Sequence, residues 1–235
     1  MICAWFQVGH WKNGITLLIH ALDVTHNNSI AHCELGHVLD RYEKYDGAVI
    51  HYLKALQINP NYVEAHNNLG YNLATQGKFK DAVYHFNKAI KVAPNYAGAY
   101  YNLGKIFSNH GKTEKAIFFY RKALELNPEM TQVLYNLSWI TATHENEKNR
   151  NGEKAVKLAE KLCKITKYNQ PLALDALAAA YAETKRFDAA VLTAKKALGL
   201  ALHQGPEELV LGLKKRLQLY QAELPYRQSL QKKNE

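Results

Sequence analysis

The middle of this sequence states one pattern twice in immediate succession. Residues 63–96 read VEAHNNLGYNLATQGKFKDAVYHFNKAIKVAPNY, and residues 97–130 read AGAYYNLGKIFSNHGKTEKAIFFYRKALELNPEM. Slid over one another, they align Leu69 with Leu103, Gly70 with Gly104, Gly77 with Gly111 and Ala82 with Ala116. Phe86 then falls on Tyr120, Ala89 on Ala123 and Pro94 on Pro128. A fixed period of this length is the mark of a stacked repeat. Apolar residues inside each period recur at helical spacing in two runs, broken at Gly77 or Gly111, so each unit is expected to be two helices, A and B. The glycine suits a left-handed turn after helix A. Pro60, Pro94 and Pro128 follow helix B, where a missing N–H ends the hydrogen-bond ladder.

Followed outward, the period divides the chain. Residues 1–28 read as a partial repeat, mainly helix B, with Gly9 and Trp11 matching Gly77 and Phe79. Projection back from Ser29 puts the first helix A before residue 1, so the chain is expected to begin inside a repeat cut from a longer protein. Residues 29–62, 63–96 and 97–130 are complete units. Residues 131–170 form a repeat with a polar insertion around Glu145 to Asn151, and 171–204 restore the pattern. Residues 205–224 predict a capping helix with an apolar face of Leu209, Leu213, Leu217 and Tyr220, followed by a tail at 225–235. The whole reads as one continuous domain. Gly36, Gly70 and Gly104 are expected to face the alanine pairs of helix B, with Leu69, Phe86 and Tyr120 filling the layer to the next unit.

Charge is uneven along the chain. Of the net +9, residues 1–147 carry +1 (13 basic, 12 acidic) and residues 148–235 carry +8 (17 basic, 9 acidic). A basic half could meet an acidic partner, an anionic membrane surface or nucleic acid. Lys154, Lys157, Lys161 and Lys164 recur at helical spacing, however, as a solvated face would. Nucleic acid is therefore the lesser reading. Three well-separated cysteines argue against a disulfide scaffold or a cysteine-rich zinc site. Cys33 and His37 stand four apart on helix A, but no third ligand is evident. The sequence contains no phosphate loop, nucleophile elbow or distinctive carboxylate pair, so no catalytic residue, cofactor or metal is assigned. No run reaches the roughly 18 apolar residues of a membrane span.

These recurring residues resemble the tetratricopeptide repeat family from Gly9 to about Leu224. The resemblance implies an all-α, right-handed α-solenoid of stacked antiparallel helix pairs with a C-terminal capping helix. It also implies a concave groove, lined by the A helices, that binds an extended peptide or a partner's helix, in proteins that are mostly adaptors. Asn68, Asn102 and Asn136 follow one another at intervals of one period and look like the asparagine ladder in repeat arrays of O-linked N-acetylglucosamine transferases. An amide both donates and accepts, so a ladder could hold a peptide backbone without reading its sequence. Asn67, Tyr71, Tyr101, Lys105, Tyr135 and Trp139 lie beside it as candidate contacts for peptide side chains. The family's carboxylate clamp is not expected, because Gly98, Asn102, Gln132 and Asn136 hold the positions its cations need.

The expected function is a non-catalytic scaffold for a protein or peptide of unspecified identity. The opening QVGHWKNGITLLIHALDVTHNNSIAHCELG is similar to repeats of bacterial membrane glycosyltransferase-like proteins. That similarity carries the alternative, a recruiting region of a larger enzyme. The compartment stays open between cytoplasm and the extracytoplasmic part of a membrane protein, as does the oligomeric state.

Overall fold

The computed structural model describes residues 14–25 and 27–228. Gly9 and Trp11 of the expected partial repeat, and the tail beyond residue 228, lie outside them. Twelve α-helices follow one another among the described residues. They are α1 Gly14–Val24, α2 Ser29–Arg41, α3 Tyr45–Ile58, α4 Val63–Thr75, α5 Phe79–Val92 and α6 Ala97–Asn109. The remainder are α7 Thr113–Leu126, α8 Thr131–Thr143, α9 Gly152–Ile165, α10 Pro171–Glu183, α11 Phe187–Gln204 and α12 Glu207–Gln221. The chain divides into two compact units, Met1–Ile106 and Phe107–Glu235. The architecture is all-α, with consecutive helices paired and the pairs stacked.

In the first unit α2 pairs with α3 and α4 with α5, while α3 packs on α4 and α2 touches α4. The turns between paired helices have one local design. Gly77 takes φ +78° after α4, and the amide of Lys78 closes back on the Leu73 carbonyl at 2.8 Å. That is the hydrogen bond of a left-handed helix terminus. Glu43 holds the same place after α2 with φ +58°, and Lys44 N–H reaches Leu39 O at 2.9 Å. A side chain in that conformation costs about 1 kcal/mol that glycine does not.

Ala48, Tyr52 and Ala55 of α3 and Ala82, Phe86 and Ala89 of α5 are all buried. The small residues of the A helices meet a different partner from the expected one. A Cβ on Gly36 would stand 2.7 Å from the Tyr52 ring, and one on Gly70 would stand 2.8 Å from the Phe86 ring. The glycines therefore seat the helix-B aromatic, not the alanine pair. Tyr52 also donates its hydroxyl to Asp40 Oδ2 at 2.7 Å. Asn72 of α4 donates to Asp40 Oδ1 and, at 3.1 Å, to the Tyr45 carbonyl. One carboxylate thus ties α2, α3 and α4 together.

In the second unit α8 packs on α7, α9 and α10, α10 on α9 and α11, and α12 on α11. Nearly the whole circumference of α10 is buried, which its run of alanines permits. The expected capping helix has Leu213 and Tyr220 fully buried against α11 and its neighbours. The insertion after α8 is held at both ends. His144 is buried, bonds Thr113 Oγ1 at 2.9 Å through Nε2 and accepts from the Asn146 amide through Nδ1. Arg150 donates to the carbonyls of His144 and Glu145 and to Glu183.

After α12 the chain turns at Glu223, φ +55°, with Leu224 N–H bonded to Leu219 O at 2.9 Å. Residues 224–228 then run without helix to the end of α8, where Gln228 N–H donates to Thr143 O at 2.8 Å. Gln228 and His144 form the isolated parallel bridge.

Candidate functional site

The first unit brings together six of the nine residues singled out in the sequence. Asn67, Asn68 and Tyr71 lie on α4, and Tyr101, Asn102 and Lys105 on α6. The amides form a directed chain. Asn102 Nδ2 donates to Asn67 Oδ1 at 2.9 Å, and Asn67 Nδ2 donates to Asn68 Oδ1 at 3.3 Å. Asn68 Nδ2 points to Cys33 Sγ at 3.9 Å, a weak contact with a poor acceptor. Helix α4 therefore contributes both adjacent asparagines, with Asn67 buried and Asn68 and Asn102 half-buried. The ammonium of Lys105 lies 5.5 Å from the centre of the Tyr71 ring, which is 47% exposed. Tyr101 is half-buried.

Cys33 itself is buried, and burial first and the Glu34 charge second push its thiol up to about 11. It is a packed, protonated group at neutral pH. Among the described residues no three His, Cys, Asp or Glu side chains converge as metal ligands.

The second unit holds Tyr135, Asn136 and Trp139 on α8. Tyr135 and Trp139 stack with ring centres 6.1 Å apart, and Asn136 is half-buried beside them. Burial, followed by the negative charge of Asp175, pushes the Tyr135 phenol up to about 12. This face is occupied by the chain's own segment. Trp139 Nε1–H donates to Gln228 Oε1 at 2.6 Å, and the Tyr226 ring lies 5.9 Å from that of Trp139. Arg216 of α12 lies 5.3 Å from the Trp139 ring and 5.5 Å from the Tyr226 ring. Its position is set by two bonds to the buried Asp175, from Nε at 2.8 Å and from a terminal nitrogen at 2.7 Å. Arg227 pairs with Glu183 at 2.6 Å, the carboxylate that also receives Arg150.

Both faces present amides that donate and accept, exposed or stacked aromatic rings, and cations placed over them. The sequence did not disclose Arg216, Tyr226 or Gln228, whose roles depend on contacts between distant parts of the chain. It also passed over two histidine pairs, His32 with His51 and His66 with His85. Their signal was available: both members of the first pair recur one period later as the second, and the separation within each pair is 19.

The helix pairs, the left-handed turns between them and the aromatic seated on a helix-A glycine define a helical-hairpin repeat. The sequence profile described as tetratricopeptide repeat matches residues 97–130, and a second, described as TPR repeat, matches residues 43–77 and 70–111. Residues 43–130 are built on tetratricopeptide repeats. Solved structures share its fold. YrrB, described as a TPR protein with an unusual peptide-binding site, is 19% identical with a TM-score of 0.61, over 86% of this chain and 98% of its own. MamA is 26% identical with a TM-score of 0.60, over 77% and 95%. Yeast Tom70 is 20% identical with a TM-score of 0.67, over 88% of this chain and 43% of its own. No curated protein matches the chain in sequence. No helix among the described residues is long and apolar enough to cross a membrane.

Proposed function

We propose that this protein is a non-catalytic interaction scaffold whose A-helix faces hold extended peptide segments. The observation that carries the reading is the segment 224–228 on α8. It is extended chain, it offers a main-chain N–H to Thr143 O, and its Tyr226 and Gln228 side chains engage Trp139. A face that takes an extended segment in cis has the shape and polar groups to take one in trans. In the first unit Asn67, Asn68, Asn102, Tyr71, Tyr101 and Lys105 supply the corresponding polar and aromatic groups. Asn136 and Tyr135 extend the second face beside Trp139. YrrB, with its peptide-binding site, is consistent with this use of the fold.

The test uses a labelled peptide of residues 222–235 and a chain ending at Ala222. Saturable binding, reduced at least tenfold by Trp139→Ala, is the expected result. A truncated chain that stays folded by circular dichroism yet binds no peptide refutes the reading. For the first face, Asn68→Ala with Asn102→Ala should weaken a bound partner while leaving helicity and melting unchanged. Equal binding by that variant removes the amides from the site.

A further inference from the structure

We propose that the two histidine pairs, His66 with His85 and His32 with His51, are binding sites for a divalent cation of tetragonal preference, Cu²⁺ or Ni²⁺, one ion per pair. In each pair one imidazole comes from helix A and the other from helix B of the same hairpin, and the two Nδ1 atoms stand 3.0 Å apart. The geometry repeats closely: ring centres are 5.3 Å apart in both pairs, and the ring planes are inclined by 33° and 38°. A single accidental contact would not recur in this way. The two hairpins build the same donor set.

The tautomers follow from the partners of His66. Its Nε2 lies 3.0 Å from the Pro60 carbonyl, which can only accept, so Nε2 carries the hydrogen. The Nδ1 lone pair of His66 is thereby directed at His85, whose own Nδ1 holds the proton between the two rings. A metal ion takes the place of that shared proton, which passes through solvent to His85 Nε2 as the ring shifts to its other tautomer, with no net proton released. A ring N–H on a backbone carbonyl is also how metal-ligating histidines are usually oriented.

The spacing selects the metal. With imidazole–metal bonds of about 2.0–2.1 Å, two nitrogens 3.0 Å apart subtend about 94° at the ion. That is close to the cis angle of a square-planar or tetragonal site. Each ring must turn by about 43° to bring its lone pair off the line between the nitrogens and onto the shared point. The remaining coordination positions belong to solvent, because no third His, Cys, Asp or Glu joins either pair among the described residues. A groove of about 750 Å³ bordered by His66, His85, Gln57 and Asn61 leaves room for those waters, and Lys88 beside it favours an anionic co-ligand such as hydroxide.

The next repeat supplies the control. Tyr100 holds the position of His66 one period on and donates its hydroxyl to the Pro94 carbonyl at 3.1 Å, the counterpart of the bond from His66 to Pro60. Phe119 likewise holds the position of His85. The pair His66→Tyr and His85→Phe therefore removes both nitrogens with residues that the repeat already accommodates. The experiment titrates the full-length chain with Cu²⁺ in the presence of glycine, which competes for weak surface sites, and reads bound Cu²⁺ by paramagnetic resonance. Wild type should show imidazole–nitrogen coupling and take up two more ions per chain than a variant changed at all four histidines. The double variant H66Y/H85F should lose one ion, and H32Y/H51F the other, with helicity unchanged. An ion count in H66Y/H85F equal to wild type overturns the proposal for that pair, and the same result in H32Y/H51F overturns it for the second.

Discussion

Replacing Gly70 with alanine tests whether the seat of the helix-B aromatic, more than helix propensity, governs the small residue of helix A. An alanine in a helix interior is favoured over glycine by about 1 kcal/mol. At Gly70 the added Cβ would stand 2.8 Å from Cε1, 3.0 Å from Cδ1 and 3.1 Å from Cζ of Phe86, whose ring is 1% exposed. A ring so enclosed cannot move freely, and overpacking of this kind costs about 1–3 kcal/mol. The net expectation for Gly70→Ala is a loss of about 1 kcal/mol. Gly47 provides the contrast, since its Cβ would meet only Leu39 Cδ1 at an ordinary 3.5 Å. Gly47→Ala should therefore gain up to about 1 kcal/mol. Urea titrations followed by circular dichroism measure both. The cycle with Phe86→Leu isolates the contact: the double variant should be more stable than the two single losses predict, by about 1 kcal/mol. If Gly70→Ala stabilises the protein as Gly47→Ala does, the close approach of glycine and ring is not what selects glycine there.

Two further outcomes follow from the buried charges. Arg216→Met leaves Asp175, 2% exposed, without its guanidinium, and should cost about 3–5 kcal/mol in urea denaturation; a loss below about 1 kcal/mol refutes the pair's role. Asp40 has its pKa raised by burial, with the bonds from Tyr52 and Asn72 and the charge of His37 opposing, so its contribution to stability is present below the ordinary value of 3.8 and is lost as pH rises through the folded value. The stability difference between wild type and Asp40→Asn should accordingly shift against wild type as pH climbs from below 3.8, and a difference independent of pH contradicts that assignment.

Much of the fold was legible because its determinants are local. Helix ends and the left-handed turns at Gly77 and Gly111 depend on residues within one turn of each other, and the repeat period exposes them by repetition. Glu43 takes the same backbone conformation without a glycine to announce it, because the closing bond from Lys44 to Leu39 is made by backbone atoms alone. The pairing of Gly70 with Phe86 was harder to read. Which side chain of helix B lands on the glycine depends on the rotation of one helix against the other, and the period is blind to that rotation. The amides show the same limit: the period aligns Asn102 with Asn68 but does not disclose that its side chain bonds Asn67. The segment at 224–228 had no local signal at all, since Tyr226 and Gln228 acquire meaning only against Trp139.

Trp139 and Gln228 are separated by 89 residues, with four helices formed between them. During synthesis the α8 face emerges and can fold well before the segment that covers it. For that interval the stacked rings of Tyr135 and Trp139 are open to whatever segment arrives first. Under the proposed scaffold function, a second segment competes with one of its own chain, which has an effective concentration set by the short connection from α12. On that reading the closed face acts as a selectivity threshold: an external segment gains it only by exceeding a tethered rival, while the nascent chain offers it without that contest.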